Sequence, residues 1–429
     1  MSTRVLSWME LFWLLVLSPF ILMPGRGVPP EYYPWLVAAL AVGPLLGALT
    51  TRTLWPRTPA DWCVVGLLLW LPVTFWASVD KHRTWSSMAL LLLGVAWYLA
   101  WVRRERSHAR PMELVAFLVL LAVGIMIIGP LLAENLPSWA GWMKRIQILA
   151  QPWIGRLGES INPNVLAGGL ILLVPLLLSL AINSNKRSGR SLVLLGLVIL
   201  SVLELGLTAS RGAYIALLVS LGVVLCLRWP WLLFGVPLLS AMVGYGIHQI
   251  GWQSIVNRIA EVSAASAPEG ISGLESRLEI WSRALYALQD FAFTGIGFGT
   301  FDQVIPLLYP YFTIPPDATI SHAHNLFLQV GVDMGIPGLV TWLALQITVL
   351  WMLVTALCRL PRSSDHWAVA AGALGGLVAM YVHGLVDAVS WASRMAVLPW
   401  LLYALTVSVF DRAWTEGRHH REIREVTSE

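Results

Sequence analysis

The chain has 429 residues, of which 57% are hydrophobic and only 12% charged, against about 25% charged in an average soluble domain. That composition excludes a soluble globular protein and leaves a protein embedded in a bilayer. The formal net charge of +4 is accounted for by arginines at one membrane face binding anionic headgroups, so no nucleic-acid partner is expected.

Apolar runs long enough to span a bilayer recur near 8–24, 34–54, 62–79, 85–102, 112–132, 162–182, 191–207, 212–229, 231–250, 325–357, 367–386 and 394–411. They predict an all-α polytopic transmembrane bundle of about twelve spans. The division is spans over 1–250, one large partly helical extracytoplasmic loop over 251–324, further spans over 325–411, and a cytoplasmic tail over 412–429. Orientation follows from Lys and Arg, which concentrate in cytoplasmic loops. With the N-terminus inside, seventeen of the 28 fall on the cytoplasmic side, among them Arg103, Arg104, Arg106, Arg190, Arg359 and Arg412. Both termini are then cytoplasmic, and the first span is a retained anchor, because Met23-Pro24-Gly25-Arg26 reads as a turn rather than a cleavage site. Cys63, Cys226 and Cys358 stand singly, without metal-ligand spacing.

In chain order, the tryptophans of the first five spans, including Trp35, Trp62, Trp76, Trp97 and Trp101, lie toward span ends and predict an aromatic belt. Residues 133–161 read as a moderately long loop. Asn162-Pro163-Asn164 then carries the signals of a helix start, a capping Asn followed by Pro. The link Thr208-Ala209-Ser210-Arg211-Gly212-Ala213 is so short that Arg211 sits at or inside the outer membrane surface. An arginine there is costly unless it is paired or lines a wet cavity, which makes it a site candidate; snorkelling to headgroups is the plainer alternative.

The long loop begins polar over 263–273 and then turns helical, with a capping box from Ser272 to Glu275 and apolar residues recurring from Leu274 to Leu288. Arg283 falls opposite that apolar face and four residues after Glu279, the spacing of a surface ion pair. Arg277 falls at the edge of the face and is the better candidate for a ligand. Gly295-Ile296-Gly297-Phe298-Gly299 does not join a soluble strand to a helix, so it reads as a tight turn for close backbone packing rather than a phosphate cradle.

The loop ends in Ser321-His322-Ala323-His324-Asn325, two imidazoles and an amide at the mouth of a membrane helix. Imidazoles titrate near neutral pH and suit proton transfer. A zinc site would need further ligands, and the acids nearest in sequence are Asp302 and Asp317, so no metal is expected. On the eleventh span His383 and Asp387 stand four apart on one helical face, the spacing of an acid–imidazole pair or of an interhelical hydrogen-bond element.

Ser210-Arg211-Gly212-Ala213, the Arg277 to Trp281 segment, Gly295-x-Gly-x-Gly-x-Phe301 and His324-Asn325-x-x-Leu328-Gln329 followed by Gly335-x-Pro337-Gly338 together resemble the O-antigen ligase/polymerase family of bacterial envelope enzymes. The resemblance spans about residues 160–400. It implies a metal- and cofactor-independent glycosyl transfer at the periplasmic face of the inner membrane. A glycan on undecaprenyl pyrophosphate passes to an acceptor hydroxyl, either on a lipid core (ligase) or on another glycan chain (polymerase). It also implies that Arg211 and Arg277 hold the pyrophosphate and that His324 acts on the acceptor hydroxyl. His322, Asn325, His383, Asp387 and Arg283 are then binding or supporting residues, and membrane lipids are partners. A transporter lined by the same arginines is the alternative class, but it should show charged or broken spans and related halves. Here the unusual polar groups gather at the outer ends.

Overall fold

The computed structural model describes residues 3–23, 28–51, 55–108, 111–134, 136–154, 160–184, 188–251, 253–254, 274–315 and 318–428. The turn at 24–26, the polar stretch 263–273 with Ser272 of the capping box, and Asp317 lie outside the described residues. Among the described residues the chain is helical and has no strand, only an isolated bridge between Ala133 and Ile161.

Fifteen helices are described: α1 (Thr3–Leu22), α2 (Tyr33–Thr51), α3 (Asp61–Ala77), α4 (Lys81–His108), α5 (Pro111–Leu132), α6 (Gly141–Ile154), α7 (Pro163–Asn183), α8 (Gly189–Leu207), α9 (Arg211–Arg228), α10 (Gly235–Ile250), α11 (Leu274–Asp290), α12 (Phe301–Leu308), α13 (Leu326–Arg359), α14 (Asp365–Gly384) and α15 (Val397–Ser428). A helix occupies each of the twelve apolar runs. Seven of these, α4, α5, α7, α8, α9, α13 and α14, are long and apolar enough to cross a membrane, while α1, α2 and α3 contain shorter apolar stretches. The protein is a multi-pass membrane protein.

α14 forms the centre, packed on α7 and α9, because its alanines and glycines let backbones approach closely. A Cβ added at Gly372 would lie 2.6 Å from Leu176 Cα of α7. The hydroxyls of Ser179 and Ser220 then donate across the seams to the carbonyls of Ala368 and Gly375, at 2.7 and 2.8 Å. α15 packs against α4 and α13, and α13 against α3. A second, smaller core joins the loop to the bundle: Ile280, Ala284, Ile296, Phe301, Ile305 and Ala323 close around Val332 of α13.

Two expectations need correction. Trp97 and Trp101 are buried and pack on Phe117, the first stacked and the second tilted, so they belong to the core rather than to a belt; Trp35, Trp62 and Trp76 are exposed as a belt requires. Residues 133–161 are not simply a loop, because 141–154 form α6, whose Trp142, Leu149 and Trp153 are exposed. At the start of α7, the Asn162 side chain accepts from Asn164 N–H at 2.9 Å, as its capping role predicts.

Candidate functional site

Four stretches converge at one end of the bundle: the α8–α9 link, α11, the loop before α13, and the irregular segment 385–396 after α14. Helix α14 stops at Gly384, and Asp387 lies in the turn that follows, its backbone N–H still donating to His383 carbonyl at 2.9 Å. The expected proximity of the two residues is therefore kept at the backbone, while the acid's side chain finds other partners. The Asp387 carboxylate instead faces the loop histidines. Its Oδ1 lies 3.6 Å from His322 Nε2 and 3.7 Å from His324 Nδ1. Asp387 is 3% exposed and the two imidazoles 27% and 24%, so the acid is sealed in while the rings remain reachable.

The backbone around the histidines explains their posture. Asn325 caps α13, its side-chain oxygen accepting from Phe327 and Leu328 N–H at 3.0 Å, while its amide nitrogen donates to Leu385 carbonyl at 3.1 Å. One side chain therefore starts the helix and staples it to the segment that carries Asp387. Trp281 of α11 donates to the His324 carbonyl at 3.4 Å. His324 itself adopts φ 46°, a left-handed conformation uncommon outside glycine.

Proton positions follow from this network. His322 Nδ1 accepts the His324 backbone N–H at 3.2 Å, so the neutral ring carries its proton on Nε2, aimed at Asp387. That tautomer makes His322 a donor and leaves no lone pair on Nε2 for a metal. The three side chains lie close enough to be weighed as a metal site, but this donor set fits one poorly. Asp302, considered from sequence, is instead paired with Arg83 at 2.8 Å. His324 turns Nδ1 toward the same carboxylate, which favours the proton there and leaves Nε2 as the basic nitrogen. The 3.7 Å separation exceeds a hydrogen bond, and such contacts in catalytic sites commonly tighten when substrate is in place.

Burial, then the neighbouring charges of His324 and Arg277, pushes the His322 imidazole well below the usual histidine range, with Asp387 opposing. Burial raises the Asp387 carboxyl, but the His324 contact and the charges of His322, His324 and His383 outweigh it and hold the group well below the usual carboxylate range. At neutral pH the arrangement is thus a carboxylate facing a neutral His322 ring.

Two guanidiniums complete the cluster. Arg277 is half-buried; burial lowers its pKa, Asp387 opposes that, and Arg211 adds to it through its like charge. It remains protonated at any physiological pH. Arg211 opens α9 and is exposed, and the next residue packs on α14: a Cβ at Gly212 would lie 2.7 Å from Val386 and 3.2 Å from His383. Arg277 near Asp387, with Arg211 bringing a second positive charge beside Arg277, leaves a local excess suited to a polyanion.

Arg283 lies elsewhere. It pairs with Glu279 at 3.4 Å, donates to Pro310 carbonyl at 3.0 Å and sits 4.8 Å from the Phe312 ring. The expected ion pair is present, but at 12% and 10% exposure it is an internal tie rather than a surface one. Glu279 also accepts from Phe312 and Thr313 N–H, at 2.5 and 3.0 Å. Arg283→Ala is expected to lower the thermal midpoint of the purified protein while leaving specific activity near wild type, since the residue touches none of the clustered groups.

Sequence reasoning missed Asp333. It is fully buried on α13 and binds Gly299, Gln329 and Trp391. Its only sequence signal is an acid inside an apolar span. Residues 196–343 match the family model described as O-antigen ligase, a segment that holds Arg211, Arg277, His322, His324 and Asn325 but ends before His383 and Asp387. No curated protein matches the chain.

Proposed function

From the premise that residues 196–343 are an O-antigen ligase family segment, we propose that the protein is a membrane glycosyltransferase. It moves a glycan from undecaprenyl pyrophosphate to an acceptor hydroxyl at the extracytoplasmic face of a bacterial inner membrane. The observation that carries this reading is the convergence of Arg211, Arg277, the histidine pair and Asp387 from separate stretches at one end of the bundle.

The chemistry is one displacement. The acceptor oxygen attacks the anomeric carbon as the bond from that carbon to the pyrophosphate oxygen breaks. The hydroxyl proton passes to His324 Nε2, and Asp387 stabilises the imidazolium that forms. The bond's electron pair leaves on the pyrophosphate, whose growing charge Arg211 and Arg277 hold through planar forks that match phosphate oxygens. Every group this needs is a side chain of the chain itself.

Reconstitution in liposomes with a synthetic polyprenyl-pyrophosphate glycan and two separate acceptors tests the reading. The lipid-core acceptor is expected to be extended, and a chelator is expected to leave the rate unchanged. Extension of the free glycan acceptor alone would make the protein a polymerase of the same family, and extension of neither would defeat the enzyme reading. Cysteine labelling in a background lacking Cys63, Cys226 and Cys358 should reach position 319 from outside and position 188 from the cytoplasm. The reverse pattern would put the cluster on the wrong face for this donor.

A further inference from the structure

We infer that Asp333 is a positioning residue that fixes the histidine pair against Asp387. The inference rests on the reading of His324 as the base. Asp333 touches neither histidine, yet its side chain binds three separate points of chain: Gln329 on its own helix, Gly299 in the glycine turn and Trp391 in the segment after α14. Oδ1 accepts from Gln329 Nε2 at 3.0 Å and from Gly299 N–H at 3.3 Å, and Oδ2 accepts from Trp391 Nε1 at 2.9 Å.

Two of the contacts reach the site by a short path, and the third anchors the carboxylate to the glycine turn. Because the Gln329 amide nitrogen is held by Asp333, its oxygen is turned the other way, where it accepts Ala323 N–H at 2.7 Å. Ala323 is the residue between His322 and His324, so this bond sets the depth of both rings. Trp391 stands four residues after Asp387 in the same irregular segment, and its backbone N–H is bound to Ala388 carbonyl at 3.0 Å. Gly299 ends the glycine turn at φ 78°, with Ser87 of α4 filling the place of a Cβ.

The backbone at Asp333 is anchored as firmly. Gly335 at φ 69° breaks the helix, and the carbonyls just before the break bond outside α13 instead of continuing its ladder. Val332 carbonyl accepts from Ile296 N–H at 2.8 Å, Asp333 carbonyl from Thr74 hydroxyl at 2.5 Å, and Met334 carbonyl from Trp70 at 2.7 Å. Asp333 is therefore fixed to α3 and the glycine turn by its backbone while its side chain holds the site loops. All three side-chain partners donate N–H, and an acceptor-only carboxylate is the group that satisfies them together.

The test is Asp333→Asn, which keeps volume but presents an amide NH2 to one of the three donors. Steady-state transfer in the liposome assay, measured per folded molecule, should show kcat reduced about a hundredfold, the scale of a misplacement near 1 Å. KM for the donor should stay close to wild type, because Arg211 and Arg277 are untouched. Adding Trp391→Phe removes the opposed donor and should recover part of the lost kcat. Gln329→Leu, which removes the bond to Ala323 together with Gln329's own bond to Asp333, should also lower kcat and serves if the Asn variant does not fold. Wild-type kcat in Asp333→Asn or in Gln329→Leu, or a loss carried by KM alone, overturns the inference. His324→Ala assayed in parallel separates the two claims, since wild-type transfer there would sink the base assignment instead.

Discussion

His324→Ala is expected to lower transfer by about a hundred- to ten-thousand-fold, the range for loss of a positioned general base, with donor binding and yield of folded protein retained. The structure sharpens this expectation by naming the group behind the imidazole. Asp387→Asn should share much of the defect, because an amide neither holds the Nδ1 tautomer nor stabilises an imidazolium. His322→Ala should be milder, since that ring points its proton at the carboxylate and leaves the acceptor's proton to His324. Near-wild-type transfer by His324→Ala would show that bound-substrate geometry and the arginines suffice.

The pH dependence has a defined sign at Asp387. Its carboxyl is held below its unfolded value of about 3.9. The stability it contributes is therefore fully present above that value and lost only as pH falls through the lower folded one. Between about pH 5 and 8 thermal stability should show no step from this group, and Asp387→Asn should shift the melting midpoint by a constant amount across that window. A difference that vanishes between pH 6 and 5 would contradict the depressed carboxyl.

Arg211→Ala and Arg277→Ala are each expected to reduce transfer by about a hundred- to a thousandfold, the scale for removing one charge-stabilising donor. Lysine at either position should recover only part, because a point charge replaces a fork that grips two phosphate oxygens. Release of polyprenyl pyrophosphate in single-turnover experiments measures the step directly. Damage from Arg283→Ala equal to that of the other two would mean that membership of the Arg211–Arg277 cluster selects nothing.

The helices were legible because membrane burial writes them locally as unbroken apolar runs, and all twelve runs are helical. The arginines were legible for a related reason: Arg211 in a six-residue link and Arg277 at the margin of an apolar face are both visible within a few residues. What escaped is everything that depends on chain separated by tens of residues. Asp387 was linked to His383 by a four-residue spacing, and its N–H does bond His383 carbonyl, but its carboxylate also faces a loop some sixty residues upstream that the spacing could not reveal. α6 was hidden by its length, since fourteen residues fall short of a span. Asp333 was hidden by being one acid in a long apolar stretch, with its meaning held by partners at 299, 329 and 391.

The left-handed backbone at His324 sets catalysis against thermostability. A side chain held there costs about 1–3 kcal/mol, whereas glycine accepts the same angles and gives back roughly 0.5–1 kcal/mol through the unfolded chain's added freedom. On the backbone alone the balance favours glycine, opposed by loss of the His324–Asp387 contact. Where the backbone gain is the larger, a library of this protein screened only for survival on heating would enrich His324→Gly and discard the imidazole proposed as base, so a stabilised form has to be selected on transfer and temperature together.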